Sequence, residues 1–360
     1  MSSVKELEKA LKVQANLLVA SRARDQEKGS RLRVLEREVL AGSRELASLQ
    51  KHLDIATKFR KTKVPVKYSG RPSDTKKREG NSAVILLSDW HAEETITPAE
   101  VGGVNEYSWD IMSQRAENVL HRSALLTDDA RNLANIDHAV LFLLGDFIHG
   151  AIHEDNLMST SRTPVEATVQ VAGLLESWIA KYFRASGVER LDVCCQPGNH
   201  SRARQKKFHV RKNQQTHEYM MYKYLASKIQ ENHDGIYFHV PECSLGFINI
   251  RGYRFRYLHG DHPGIGGSGV ASFIPGACNV FNKWDRDETE NLQADHTVFG
   301  DRHQFCHPGD IARWTANGCL CGFNTYCLNG FSCTPVEPSQ TFMVVDPSRR
   351  VTRAMPIFCD

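Results

Sequence analysis

The stretch AVILLSDWH, residues 83–91, is a short apolar run that stops abruptly at an aspartate and a histidine. A run of this length bounded by polar residues reads as a buried strand. The same shape returns twice, in AVLFLLGDFIH at 139–149 and in LDVCCQPGNH at 191–200. Between these runs lie helix-like stretches, from about Trp109 to Leu133 and from about Pro164 to Phe183. A strand–helix–strand rhythm predicts an α/β sheet. In such a sheet, functional groups gather in the loops beyond the carboxyl ends of the strands. Asp89, His91, Asp146, His149, Asn199 and His200 all stand there and are expected to converge. Further on the pattern changes. Residues 236–240, 245–250 and 254–259 read as consecutive antiparallel strands, with more near 297–299 and 342–345. Two of these later strands end in His259-Gly260-Asp261-His262 and Gly300-Asp301-Arg302-His303. No internal repeat is present.

Taken in order, D-x-H, G-D, G-N-H, H-G and G-x-x-H resemble the calcineurin-like metallophosphoesterase superfamily, over about residues 83–303. One such motif is a weak signal; five in order, each after a predicted strand, are a strong one. The resemblance implies a four-layer αββα sandwich and two divalent ions, with manganese expected and iron or zinc suitable. It implies that Asp146 bridges the ions, that Asp89, His91 and His303 complete one site, and that Asn199, His259 and Asp301 complete the other. It also implies hydrolysis of a phosphodiester by attack of a water bridging the two ions, with His200 touching the phosphate and protonating the leaving oxygen. Mixed oxygen and imidazole donors suit such ions better than calcium, and paired ions need a shared carboxylate. Two departures stand out. The family's G-H-x-H is here Gly300-Asp301-Arg302-His303, and Ser201-Arg202 follows G-N-H where an acid is common. An aspartate remains an oxygen ligand but adds negative charge and favours harder ions.

The form Gly145-Asp146-Phe147-Ile148-His149 looks like the DNA-repair nuclease branch, the SbcCD nuclease subunit type, in which His149 joins the catalytic set. Arg202, Arg204, Lys206, Lys207, Arg211 and Lys212 follow His200 closely. Cations beside a metal site fit a polyanionic substrate, so these residues are expected to hold DNA. A solvated surface is the plainer reading of such a run. A phosphatase acting on phosphoprotein or nucleotide, and a degenerate scaffold that binds without turnover, are the competing functions. His262 and the glycines at 264, 266, 267 and 269 form a loop that either contacts substrate or simply turns. No G-x-x-x-x-G-K-[ST] motor motif is present, so any ATPase would be a partner, as in that nuclease family.

The first sixty residues differ from the rest. They hold no proline, and no aromatic residue before Phe59. One heptad register places Val4, Leu11, Leu18, Leu32, Val39, Leu46 and Leu53 at position a, and Leu7, Leu35 and Leu49 at position d. That repeat predicts an α-helical coiled coil that self-associates, interrupted by the polar stretch 21–30. A basic linker follows, with Lys58, Arg60, Lys61, Lys63, Lys67, Arg71, Lys76, Lys77 and Arg78 around Pro65 and Pro72. The expected organisation is an arm at 1–60, a linker at 61–82 and a catalytic domain at 83–360.

The 360 residues are 41% hydrophobic and 24% charged, an ordinary globular balance. The net charge of +3 says little about partners, which is why the local basic runs matter more. No run is long and apolar enough to span a membrane, and residues 1–18 are too charged for a signal peptide. A cytoplasmic protein with no membrane partner is expected. Ten cysteines in such a chain argue against a disulfide framework. Cys319, Cys321, Cys327 and Cys333 cluster without a C-x-x-C pair, so buried thiols and a zinc site both stay open.

Overall fold

A computed structural model describes residues 80–206, 209–266, 270–286, 290–309, 312–330 and 334–360. The coiled-coil arm and nearly all of the basic linker lie outside the described residues, as do Lys207 and Cys333.

Strand β1 (Asn81–Leu87) is buried at every position, which explains why its sequence is apolar without alternation. It pairs in parallel with β2 (Ile136–Leu143), which pairs in parallel with β3 (Arg190–Cys195). Parallel neighbours need a crossover. Helix α1 (Trp109–Arg131) makes the first, and helices α2 (Glu154–Ser159) and α3 (Pro164–Ser186) lie in the second. Helix α3 starts where its sequence says it must. Pro164 opens it, the Thr163 hydroxyl accepts from the Glu166 amide at 3.3 Å, and the Glu166 carboxylate accepts from the Thr163 amide at 2.9 Å.

A third crossover through α4 (His217–Gln230) leads to β4 (Ile236–His239), which joins β3 in parallel. This corrects the expectation that residues 236–259 form one antiparallel run. β4 closes the first sheet, whereas β5 (Gly246–Ile250) and β6 (Tyr253–Leu258) open a second. Only β5 and β6 are antiparallel there. β7 (His296–Phe299) and β8 (Trp314–Ala316) extend that sheet in parallel. The chain then returns to the first sheet as β9 (Ser339–Asp346), antiparallel to β1, and ends with β10 (Arg350–Phe358) on its edge. The strand orders are β10-β9-β1-β2-β3-β4 and β5-β6-β7-β8.

The two sheets pack face to face. Val84, Leu86, Val140, Phe142, Met343 and Val345 of the first meet Ile250, Phe255, Tyr257 and Val298 of the second. Helix α1 covers the outer face of the first sheet against β1, β2, β9 and β10. It is locked to α3 by the Trp178 indole, which donates to the Ala116 carbonyl at 3.1 Å. On the far side, Phe273, Ala277 and Phe281 of α5 (Val270–Asp285) pack on Leu258, Phe299, Trp314 and Ala316. The order is helices, sheet, sheet, helix, the four layers expected. A sixth short helix, α6 (Thr325–Asn329), lies in the loop before β9. Among the described residues no helix is long and apolar enough to cross a membrane.

Candidate metal centre

Stacking the sheets brings five loops together: those after β1, β2, β3, β6 and β7. Backbone bonds splice them. The Asp89 amide donates to the Gly145 carbonyl at 2.9 Å, the His91 amide to the Asp146 carbonyl at 3.0 Å, and the Gly300 amide to the His259 carbonyl at 2.6 Å. The backbone is strained where it turns inward. Of nine described non-glycine residues with positive φ, five are candidate ligands: Asp89 (55°), His91 (44°), Asp146 (53°), Asp301 (65°) and His303 (56°). Strain concentrated on one site in this way is the mark of a functional constraint. The glycines beside them serve close approach. A Cβ on Gly198 would sit 2.0 Å from Asp146 Oδ1.

Every predicted ligand arrives at the same place. Asp89, Asp146 and His259 offer donor atoms within 4.8 Å of one another, as do His91, His149 and His200. His259 Nε2 is 3.0 Å from Asp146 Oδ2, 3.0 Å from Asn199 Oδ1 and 3.4 Å from Asp301 Oδ1. His303 Nε2 is 3.5 Å from Asp89 Oδ1 and 3.3 Å from His91 Nε2. The set fits divalent ions on two counts. First, buried carboxylates that face one another repel unless a cation stands between them. Second, His259 Nδ1 donates to the Leu144 carbonyl at 2.6 Å, which aims the other nitrogen at the oxygens, the orientation a ligand histidine needs. The Asp301 departure therefore keeps an oxygen donor in the second site. Its Oδ2 is paired with Arg302, which tempers the added charge.

The electrostatics divide the ligand set. Burial works to lower His259 and His303, yet Asp146 pushes the first up to about 9, and Cys319 and Asp89 raise the second, so each holds a proton that a metal would displace. Burial, with the charges of His200 and His303, holds His91 well below its ordinary value, in the neutral form that binds metal. Burial and His200 do the same for His149. Burial works to raise Asp146, but His259 and His200 outweigh it and keep the carboxylate ionised. His149 stands behind the ligands rather than among the oxygens. Its Nδ1 is 3.2 Å from His91 Nδ1, and its Nε2 is 2.8 Å from the Asn156 amide nitrogen. His200 Nδ1 donates to the His149 carbonyl at 2.8 Å, while its amide donates to Asp146 Oδ1 at 2.9 Å. His200 lines a cavity of about 1060 Å³ with His153, His262, Arg302, Phe323 and Tyr326.

The basic run is only partly as expected. Arg204, Lys206 and Arg211 are exposed. Lys212 is instead paired with Asp261, and Arg202 is half-buried, its guanidinium donating to the Gln205 carbonyl at 3.2 Å. The Lys212 charge meets a carboxylate distant in sequence, which the spacing could not reveal.

Several residues of the site carry no motif. Glu218 on α4 is fully buried and accepts from the Phe147 amide at 2.6 Å and the Gly198 amide at 2.7 Å, so one side chain holds two ligand loops. Burial, then the nearby Asp146, pushes its carboxyl up to about 7. Glu93 accepts from the His149 and Gly150 amides at 2.9 and 2.8 Å. The nine described cysteines are free thiols. Cys319 and Cys321 are buried beside His303, and Cys319 is drawn down by its hydrogen bond with Cys321 and by the charge of His303. The only sequence signal for these groups is a buried-looking acid or thiol near a strand end, which many sites share.

No family model matches the chain, and no curated protein matches it. Among solved structures it is similar to the sulfate thiohydrolase SoxB of Thermus thermophilus in complex with glycerol, with 10% identity and a TM-score of 0.30. The match covers 79% of this chain and 58% of that one. A likeness at this level says nothing of chemistry, so the functional reading rests on the side chains described above.

Proposed function

We propose that the chain is a two-metal phosphoesterase that hydrolyses a phosphodiester, with DNA as the preferred substrate. The observation that carries this reading is the convergence of Asp89, His91, Asp146, Asn199, His259, Asp301 and His303 from five loops onto one buried centre. Asp89, His91, Asp146 and His303 would hold one ion, and Asp146, Asn199, His259 and Asp301 the other. Manganese, iron and zinc all suit the donors. When bound, such ions activate water near neutral pH and neutralise phosphate oxygens.

The chain's own residues supply the rest. With Nδ1 committed to the His149 carbonyl, His200 has Nε2 left to pass a proton to a leaving oxygen. Arg302 and His262 line the cavity as groups able to meet a phosphate. Arg204, Lys206 and Arg211 follow His200 on the exposed surface and support a polyanion over a lone phosphomonoester. In the same reading, residues 1–60 self-associate, and an ATPase partner supplies any motor.

The test is incubation of the full chain with manganese or zinc and three substrates: labelled DNA, a small phosphodiester and a phosphopeptide. Cleavage of the first two over the third is expected. Turnover of the phosphopeptide alone would move the reading to a phosphatase, and no turnover at all to a scaffold. Neutralising Arg204 and Lys206 together should weaken DNA binding and flatten its salt dependence, while leaving the small phosphodiester nearly unaffected. Equal losses on both substrates would reject a DNA-holding role.

A further inference from the structure

Cys321, one of the clustered C-terminal cysteines, has no part in the ligand set proposed above. Its side chain is fully buried. Its Sγ lies 3.7 Å from His303 Nδ1 and forms, with His91 and His303, a set of donors all within 4.8 Å of one another. Metal–sulfur and metal–nitrogen bonds of about 2.3 and 2.0–2.1 Å put such donors roughly 3.5–4 Å apart around one ion, so the spacing suits a shared cation.

The segment is also pinned to the ligands. The Leu320 amide donates to the Asp89 carbonyl at 3.0 Å, and the Leu320 carbonyl accepts from Arg115 at 2.8 Å. The Cys321 carbonyl itself accepts from the Asn105 side chain at 2.9 Å. A second observation points to a cation nearby. Glu94, 3% exposed and lining the same cavity, carries a buried Oε2 with no hydrogen-bond partner, 3.8 Å from His149 Nδ1. A buried carboxylate oxygen left without a donor is costly unless a positive charge is close.

We infer that Cys321 is a sulfur ligand to a cation shared with His91 and with the His303 nitrogen that faces the thiol, Nδ1, as an alternative to the Nε2 side turned to Asp89, and that the cation held there is a borderline-soft one, zinc or iron(II), in preference to manganese. The inference rests on the two-metal reading. As the Sγ–metal bond forms, the thiol proton leaves to solvent, so binding releases one more proton than an all-nitrogen-and-oxygen site would.

The full chain, stripped of metal and reloaded with cobalt(II), is the experiment. Two bound ions and an intense near-ultraviolet sulfur-to-cobalt charge-transfer band are expected. Cys321→Ser should lose the band, and Cys319→Ser should keep it. In competition, Cys321→Ser should lose zinc-over-manganese preference by at least the roughly tenfold that loss of even an outer-shell partner costs. X-ray absorption of the zinc-loaded unmodified chain should show a sulfur scatterer at about 2.3 Å, a measurement that needs no variant to fold. Two bound ions with neither band nor sulfur scatterer would overturn the ligand role and leave the two-metal reading standing. A band that survives Cys321→Ser, or vanishes with Cys319→Ser, would overturn the assignment to Cys321. No bound cobalt at all would bring down both.

Discussion

Asp146 shows how much one side chain is asked to do. Its Oδ1 accepts the His200 amide and its Oδ2 faces His259, so both oxygens are engaged at the centre. Asp146→Asn should abolish hydrolysis and weaken retention of both ions, since an amide offers one neutral donor oxygen where a shared carboxylate is needed. Metal analysis beside a turnover assay checks it, and two retained ions with full turnover would refute the bridging role. His200 is the contrasting case. Its backbone amide bonds Asp146, and its ring lies 4.7 Å from that of His91 and lines the cavity. His200→Ala should lower turnover by about 10²–10⁴-fold with metal content unchanged, the usual share of general acid–base catalysis. Loss of metal along with activity would show that the ring is a ligand.

The loops that bear these residues are held by elements behind them. Glu218, in the first turn of α4, accepts one amide from the β2 loop and one from the β3 loop. Glu218→Ala leaves two buried donors unpaired, at about 1–3 kcal/mol each, so a loss on the order of 3 kcal/mol in urea unfolding is expected, together with weaker metal retention. Unchanged stability would mean that the loops hold themselves. The opposite end of the first sheet has its own fastening. Asp192 on β3 binds His138 of β2 at 2.8 Å, His239 of β4 at 2.7 Å and Arg190 at 2.7 Å. Burial works to raise this carboxyl, but those three partners prevail and hold it well below the usual carboxylate range. A group depressed in the folded state contributes stability above its unfolded value, about 3.9, and loses it as the pH falls below that. The difference in urea midpoint between the unmodified chain and Asp192→Asn should thus be largest near neutral pH and shrink as the pH falls below about 4. A difference independent of pH would show that packing, not charge, is what the substitution removes.

Between the two sheets, the same apolar contact that stabilises the sandwich sets the distance between the ligand loops. Phe142 of β2 and Tyr257 of β6 meet in the shared core with ring centroids 5.3 Å apart, and their strands lead directly into the loops of Asp146 and His259. The candidate centre is therefore assembled from residues of the two sheets' loops by sheet packing. Deleting residues 1–59 should lower the oligomer state in solution, because the a and d positions from Leu32 to Leu53 need a partner to cover them. Hydrolysis of a small phosphodiester should survive the deletion. Light scattering and a turnover assay decide the matter, and an unchanged mass would end the coiled-coil proposal.

The five ligand motifs were legible in the chain because each is local. A strand writes itself as a short apolar run, and metal chemistry demands carboxylate, amide or imidazole in the next few residues. The cap of α3 was legible for the same reason, since Thr163 and Glu166 satisfy each other within one turn. What the tertiary structure alone decided is everything that depends on which distant segments meet. Residues 236–239 and 246–250 look alike as strands, yet they belong to different sheets, because a strand's own pattern does not name its neighbour. Lys212 looked available for DNA until Asp261, 49 residues away, was placed beside it. Glu218 reaches Phe147 across 71 residues, and Cys321 reaches His303 only because both segments lie along the Asp89 loop. Ligand types follow from chemistry over a few bonds. Partners, sheet membership and the spending of charge follow from packing, whose contacts join residues with no imprint on one another's sequence.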